Sequence, residues 1–236
     1  SKKIFFRKNR LMFEAVILMG GFGTRLKSVS GQTPKPMVLV GGEPFVYKLM
    51  KKLEAGGCSK IILSLHFRAN YIIEKIRADC PVNCPVCFVV EDEPLGTGGG
   101  IKLAAKQITS EYFLAINGDT YCDINYADLY SQRDGFDLAI AGIHVKDINR
   151  YGFLDLDADM GIVALREKGA SGEGYINCGT YLIKRQKVTD FPATKFSFEK
   201  DFIPTCNFPI TSYLVNGMFV DIGIPKDYFY ACKILT

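Results

Sequence analysis

The chain has 236 residues, 48% of them hydrophobic and 23% charged, with a formal net charge of +4. Such a balance suits a globular α/β protein with enough apolar material for one large core. The cations are scattered apart from Lys2–Arg10, no basic stripe with interleaved aromatics appears, and no apolar run nears the roughly 18 residues of a membrane span, which argues against nucleic acid and membrane as partners.

Residues 1–13, SKKIFFRKNRLMF, form a basic lead-in without a secretory apolar core, and residues 14–236 read as a single domain. The absence of an export signal points to the cytoplasm. The chain carries eight cysteines. Cys87, Cys122 and Cys178 fall inside strand-like runs, where cysteine serves as a small buried hydrophobe. Cys80, Cys84 and Cys87 have either the role of free thiols or that of a zinc clip; no fourth cysteine or histidine stands nearby in sequence to complete the clip.

The first predicted strand is the apolar run Ala15–Met19, and Gly20, Gly21 and Gly23 follow it at once. Glycines after a strand bring bare backbone N–H groups close to a ligand and can form a concave anion site. The same pattern also serves as a tight structural turn. Thr24 and Arg25 favour the phosphate reading, as does Lys35 between Pro34 and Pro36, because two nearby cations would otherwise repel. The loop matches neither the dinucleotide fingerprint, since Leu26 stands where a third glycine is needed, nor the P-loop.

A helix is predicted over Pro44–Ala55, a strand over Lys60–Leu65, a helix over Ala69–Ala78 and a strand over Val86–Glu91. Glu93-Pro94-Leu95-Gly96-Thr97-Gly98-Gly99-Gly100 reads as a second glycine turn before a helix over Ile101–Gln107. Tyr112–Asn117 is an apolar strand that ends at Gly118-Asp119. This alternation implies a Rossmann-like, mostly parallel sheet flanked by helices, with ligands at the carboxyl ends of the strands. The second half is richer in strands: Leu138–His144, a hairpin of Gly152–Asp157 with Ile162–Glu167, Gly174–Lys184, Thr211–Val215 and Met218–Asp221. Phe198–Phe202 is a helical turn and Lys226–Leu235 a closing helix. One domain with a small β-rich lid is the expected architecture.

Asp119 and Asp221 each follow a strand beside a glycine. They either share one Mg²⁺ with substrate phosphates or merely cap turns. Glu167-Lys168 reads first as a solvated ion pair. Asn177 interrupts an apolar run and, if buried, needs a hydrogen-bond partner such as a sugar hydroxyl. His66 and His144 have no metal spacing or nucleophile beside them and read as structural.

Taken together, Gly20-Gly21-Phe22-Gly23-Thr24-Arg25-Leu26, Pro34-Lys35-Pro36-Met37, Glu93 to Gly98, Asn117-Gly118-Asp119, Glu167-Lys168, Asn177-Cys178-Gly179 and Asp221-Ile222-Gly223 resemble, in order, the motifs of the sugar-1-phosphate nucleotidylyltransferases. The resemblance implies a nucleoside triphosphate held by Gly20, Gly21, Gly23, Thr24, Arg25 and Lys35. It implies base and ribose contacts from Pro94, Gly96, Thr97 and Gly98. It places the sugar against Gly152, Glu167 and Asn177, its phosphate on Lys168, and Mg²⁺ on Asp119 and Asp221. Arg25, Lys35, Asp119 and Lys168 would carry the catalysis.

Within the family the compact length, Glu-Pro-Leu-Gly-Thr-Gly-Gly and Phe196-Ser197-Phe198-Glu199 most resemble the heptose-1-phosphate guanylyltransferases. GTP and heptose 1-phosphate are then the expected substrates; mannose-1-phosphate guanylyl-, thymidylyl- and uridylyltransferases share most of these residues, and a nucleotide-sugar sensor is the non-enzyme alternative. Two features depart from the family: Gly169 follows Glu-Lys where proline is common, and one closing helix stands where several relatives carry an assembly extension. A homodimer is left open.

Overall fold

A computed structural model describes residues 11–166 and 168–235. Most of the lead-in lies outside these residues, as does Glu167. In chain order the elements are β1 (Phe13–Met19), α1 (Lys27–Ser30), β2 (Leu39–Val40), β3 (Glu43–Pro44), α2 (Phe45–Ala55), β4 (Cys58–Leu65), α3 (Ala69–Ala78), β5 (Val86–Val90), α4 (Gly96–Ala105), β6 (Tyr112–Asn117), β7 (Thr120–Cys122), α5 (Tyr126–Ser131), β8 (Leu138–Val145), β9 (Phe153–Leu156), β10 (Ile162–Arg166), β11 (Gly174–Lys184), α6 (Arg185–Thr189), β12 (Ile210–Val215), β13 (Phe219–Asp221) and α7 (Pro225–Ile234).

Among the described residues the main sheet has nine strands, with β5, β4, β1 and β6 adjacent and parallel. β1 sits at its centre and is buried on both faces, as strands of parallel sheets are. Phe13, Ala15, Ile17 and Met19 enter one apolar core, and Val16 enters the other with Ile62, Phe113 and Ile140. β11 then runs antiparallel to β6 and to β8, and β12 lies parallel to β8. The β9–β10 hairpin joins this sheet through Ile176 opposite Phe153, so the expected β-rich part grows from the main sheet itself.

Glu14 points out of this core without being lost to it. Thr109 and Ser110 donate backbone N–H groups to its carboxylate at 2.7 Å each, and Lys60 Nζ stands 2.6 Å away. Burial works to raise its pKa, but these donors together hold it down to about 2.

The helix expected over Ile101–Gln107 begins at Gly96, so the second glycine-rich stretch is its first turns rather than a separate loop. Three helical glycines cost about 1 kcal/mol each relative to alanine, and close packing requires them. A Cβ on Gly98 would stand 2.2 Å from the Phe196 ring, on Gly99 2.5 Å from Thr194 O, and on Gly100 2.8 Å from Glu91 Oε1. Gly96 itself has φ +77°, which favours glycine. Tertiary contact overrides propensity here. Elsewhere α2 ends at Ala55, just before Gly56 and a Gly57 that adopts φ +102°.

Candidate active site

A cavity of about 460 Å³ opens at the carboxyl ends of β1 and β6. Gly20, Gly21, Gly23, Thr24 and Arg25 line it from the glycine loop, Lys35 from the Pro-Lys-Pro segment, Pro94, Gly96 and Thr97 from the start of α4, and Asp119 from the turn after β6. Gly98 does not reach it and is buried beneath Phe196.

The loop geometry explains the sequence. Gly23 has φ +61°, and a Cβ there would press to 3.0 Å against that of Lys35. Thr24–Leu26 forms a 3-10 turn that buries Leu26 and leaves Arg25 exposed on the cavity wall. On the opposite wall Gly96 and Thr97 present the amino end of α4, where the helix dipole is positive. A Cβ on Gly118 would lie 2.6 Å from Leu18 O, so only glycine lets the two strand ends approach and aim Asp119 inward.

Asp221 reaches the same point from the other end of the chain. β13 pairs antiparallel with β7, Asp221 opposite Thr120, and Ile222 N–H donates to Asp119 O at 3.0 Å. Asp221 Oδ1 accepts Gly223 N–H at 2.7 Å. Lys35, buried, places Nζ 2.5 Å from Asp119 and 3.5 Å from Asp221. Burial raises the Asp221 pKa and the Asp119 charge raises it further, against the opposing pull of Lys35 and Arg25.

Among the described residues no three His, Cys, Asp or Glu side chains gather as a metal cage. Two carboxylates close enough to share one ammonium do fit the usual holding of Mg²⁺, in which phosphates and waters complete the shell.

Neither Asn177, on β11, nor Gly152 lines the cavity, but both lie near its wall through backbone contacts. Gly179 has φ +69°, and a Cβ there would meet Asn117 Nδ2, which belongs to a residue of the cavity wall, at 2.3 Å. Thr120 Oγ1 donates to Cys178 O at 3.1 Å, and Asn177 N–H donates to Gly152 O at 3.0 Å. Gly152 and Asn177 are thus brought beside the Asp119 turn. Lys168 is exposed on the segment after β10 and does not line the cavity. Glu167 lies outside the described residues.

One residue of the site escaped sequence reasoning. Glu91, directly after β5, is buried and lines the cavity. Its Oε2 accepts Leu95 N–H at 2.9 Å, and Oε1 has only Ser64 Oγ at 3.4 Å. No ion pair among the described residues reaches it. The signal was available, because an acidic residue at the carboxyl end of a parallel strand is placed as Asp119 is. Phe22 adds an apolar wall, its ring edge-on to His66 at 5.8 Å.

Residues 14–235 match the family described as "Nucleotidyl transferase". The D-glycero-alpha-D-manno-heptose 1-phosphate guanylyltransferase of Aneurinibacillus thermoaerophilus is 35% identical, over 94% of this chain and 98% of that relative. The protein of the same name from Campylobacter jejuni subsp. jejuni is 32% identical over 92% and 97%. Among solved structures, HddC from Yersinia pseudotuberculosis is 48% identical with a TM-score of 0.90, over 95% of this chain and all of that one; a second structure of it, at TM-score 0.89, is a complex with GMP-PN. The chain belongs to the nucleotidyl transferase family.

Proposed function

We propose that this enzyme transfers GMP from GTP to D-glycero-α-D-manno-heptose 1-phosphate, releasing pyrophosphate and forming GDP-heptose. The observation that carries this reading is a single cavity joining a glycine loop, Arg25, Lys35 and a shared pair of carboxylates, on a chain that spans nearly the whole length of heptose 1-phosphate guanylyltransferases.

The chemistry follows from the groups present. Backbone N–H groups of the glycine loop and the Arg25 guanidinium take the triphosphate, and the amino end of α4 faces base and ribose. A sugar-phosphate oxygen attacks the α-phosphorus in line, a P–O bond forms, the α–β phosphoanhydride bond breaks, and pyrophosphate leaves. The nucleophile is already an anion at neutral pH, so no general base is required. Catalysis rests on positioning and on preorganised positive charge around the phosphoryl oxygens. Asp119 and Asp221 would hold Mg²⁺, which would supply further neutralisation of phosphate charge, and Lys35 adds its own cation at the cavity wall.

Guanine is favoured by Glu91. A buried carboxylate without a cation seeks two adjacent donors, and guanine presents N1–H beside N2–H₂. Uracil and thymine offer one N–H between two carbonyls, and adenine and cytosine set an acceptor beside their amino group. The sugar takes Gly152 and Asn177, and its phosphate Lys168; the Asn177 N–H to Gly152 O bond and the Thr120 contact to Cys178 O beside the Asp119 turn support this reading. No helix among the described residues is long and apolar enough to cross a membrane.

The test is pyrophosphate release with Mg²⁺, pairing each nucleoside triphosphate with heptose, mannose and glucose 1-phosphates. Release with GTP and heptose 1-phosphate well above every other pair is the expected result. Release with a different pair would keep the mechanism and overturn the substrates.

A further inference from the structure

Glu199 lies outside the cavity lining, yet both halves of the site hold on to it. It follows Phe198 at the start of a short π-helical segment, Phe198–Phe202. Thr97, on the nucleotide side, donates its hydroxyl to Glu199 Oε2 at 2.8 Å and itself accepts Phe198 N–H at 2.9 Å. Tyr181, fully buried in β11, donates to Glu199 Oε1 at 2.9 Å. Asn177 Nδ2 donates to the Tyr181 hydroxyl at 2.8 Å, and Asn177 Oδ1 accepts Gly179 N–H at 2.8 Å. Ser197 Oγ adds a 3.2 Å contact to Oε2.

Every donor in this chain has one direction available. The Phe198 amide can only donate, so the Thr97 hydroxyl hydrogen turns to Glu199. The Asn177 Nδ2 can only donate, so the Tyr181 hydrogen turns there too. Both arms therefore end on the two oxygens of one carboxyl group. No ion pair among the described residues reaches Glu199, so these hydroxyls are what compensate its charge. A network of this kind is costly when one member is lost and orders its members when complete. The Gly179 N–H fixes which way the Asn177 amide faces, and Tyr181, braced by Glu199, holds its Nδ2 end.

We propose that Glu199 is a positioning residue that couples the two substrate sites, so that nucleotide bound against Thr97 orders Asn177 for the acceptor sugar, and the sugar in turn orders Thr97. This rests on the nucleotide and sugar reading given above and adds a linkage between the two. Such coupling is reciprocal by thermodynamic necessity, and couplings of this kind run from about fivefold upward in affinity. Tyr181 touches neither the cavity nor solvent, and its hydroxyl reaches Thr97 through Glu199.

The test is equilibrium titration of the Mg²⁺ complex of a GTP analogue with a methylene bridge between the α and β phosphorus atoms, which blocks transfer. Each titration is run with and without saturating heptose 1-phosphate. The wild-type protein is expected to bind the analogue about fivefold more tightly when the sugar phosphate is present. Tyr181→Phe, which removes one oxygen, is expected to reduce that ratio to below about twofold, and Thr97→Val at the exposed end of the network to do the same. The double variant should lose no more coupling than either single one. Thr97→Val keeps the proposal falsifiable if the buried Tyr181→Phe fails to fold. Binding of both ligands with no coupling in the wild type, or coupling that survives in the variants, overturns the inference and leaves the proposed function standing. Failure of the wild type to bind either ligand removes the function and the inference with it.

Discussion

Lys35 Nζ lies 2.5 Å from the Asp119 carboxylate and so occupies, with its own charge, the place between Asp119 and Asp221. The two carboxylates come from turns far apart in sequence and are tied by the Ile222 N–H to Asp119 O bond. Removing either one should spare the fold, since each sits on the cavity side of its turn, and abolish the paired charge. Asp119→Asn and Asp221→Asn should each lower kcat/KM for pyrophosphate release at least about 100-fold, the loss of roughly 3 kcal/mol of charge stabilisation. Melting temperature and circular dichroism should stay near wild type. Full activity in either variant would remove that residue from the site.

The raised pKa of Asp221 has a definite sign. In the metal-free protein its contribution to stability is complete below the ordinary aspartate value of 3.8 and is lost as pH rises through the higher folded value. Mg²⁺ binds only the ionised pair and must displace that proton. The rise in melting temperature on adding Mg²⁺ should therefore be larger at pH 8 than at pH 5. Equal shifts at both would mean that the ion binds elsewhere.

Glu91→Gln converts an acceptor pair into one acceptor and one donor, which complements the N3–H and O4 edge of uracil and thymine. GTP should lose about tenfold to 100-fold in kcat/KM, the worth of a hydrogen bond to a charged group. UTP or dTTP should gain relative to GTP in a competition assay. An unchanged preference would place guanine recognition on backbone groups alone.

Gly99→Ala sets two effects against each other. Alanine favours a helix by about 1 kcal/mol over glycine. The new Cβ would lie 2.5 Å from Thr194 O, a backbone atom that cannot swing aside, and overpacking of this kind costs typically 1–3 kcal/mol. The expected result is net destabilisation, seen as a melting temperature a few degrees lower in a thermal scan. A stabilised variant would mean that the Thr194 segment shifts freely.

Much of this architecture was legible in the residues. The parallel strands Tyr112–Asn117 and Val86–Val90, helix Ala69–Ala78 and strand Gly174–Lys184 stand where hydrophobic period and glycine punctuation put them, to within a residue. Local signals failed where long-range contact decides. The start of α4 was hidden because Gly98 to Gly100 look like a loop until Phe196 and Thr194 are seen against them. Short elements such as Thr120–Cys122 and Arg185–Thr189 carry too few residues to show a period. Of the site, the cavity joins the glycine loop, Lys35, the α4 turn and Asp119, each of which ends or follows a strand or helix. The Glu199 network was invisible because its members are joined by side chains across three elements, not by spacing in sequence.

The pairing of β13 with β7 also sets an order of assembly. Asp221 lies near the end of the chain and Asp119 in its middle, so a chain growing at roughly 5–20 residues per second makes the second carboxylate several seconds after the first. By then β1, β4, β5 and β6, with the glycine loop between them, have all left the ribosome. The nucleotide cradle is thus complete in sequence before the pair that would activate it. On the function proposed above, a nascent chain would have the residues to hold a triphosphate well before it has both carboxylates, and the short β7–β13 ladder would bring the second beside the first.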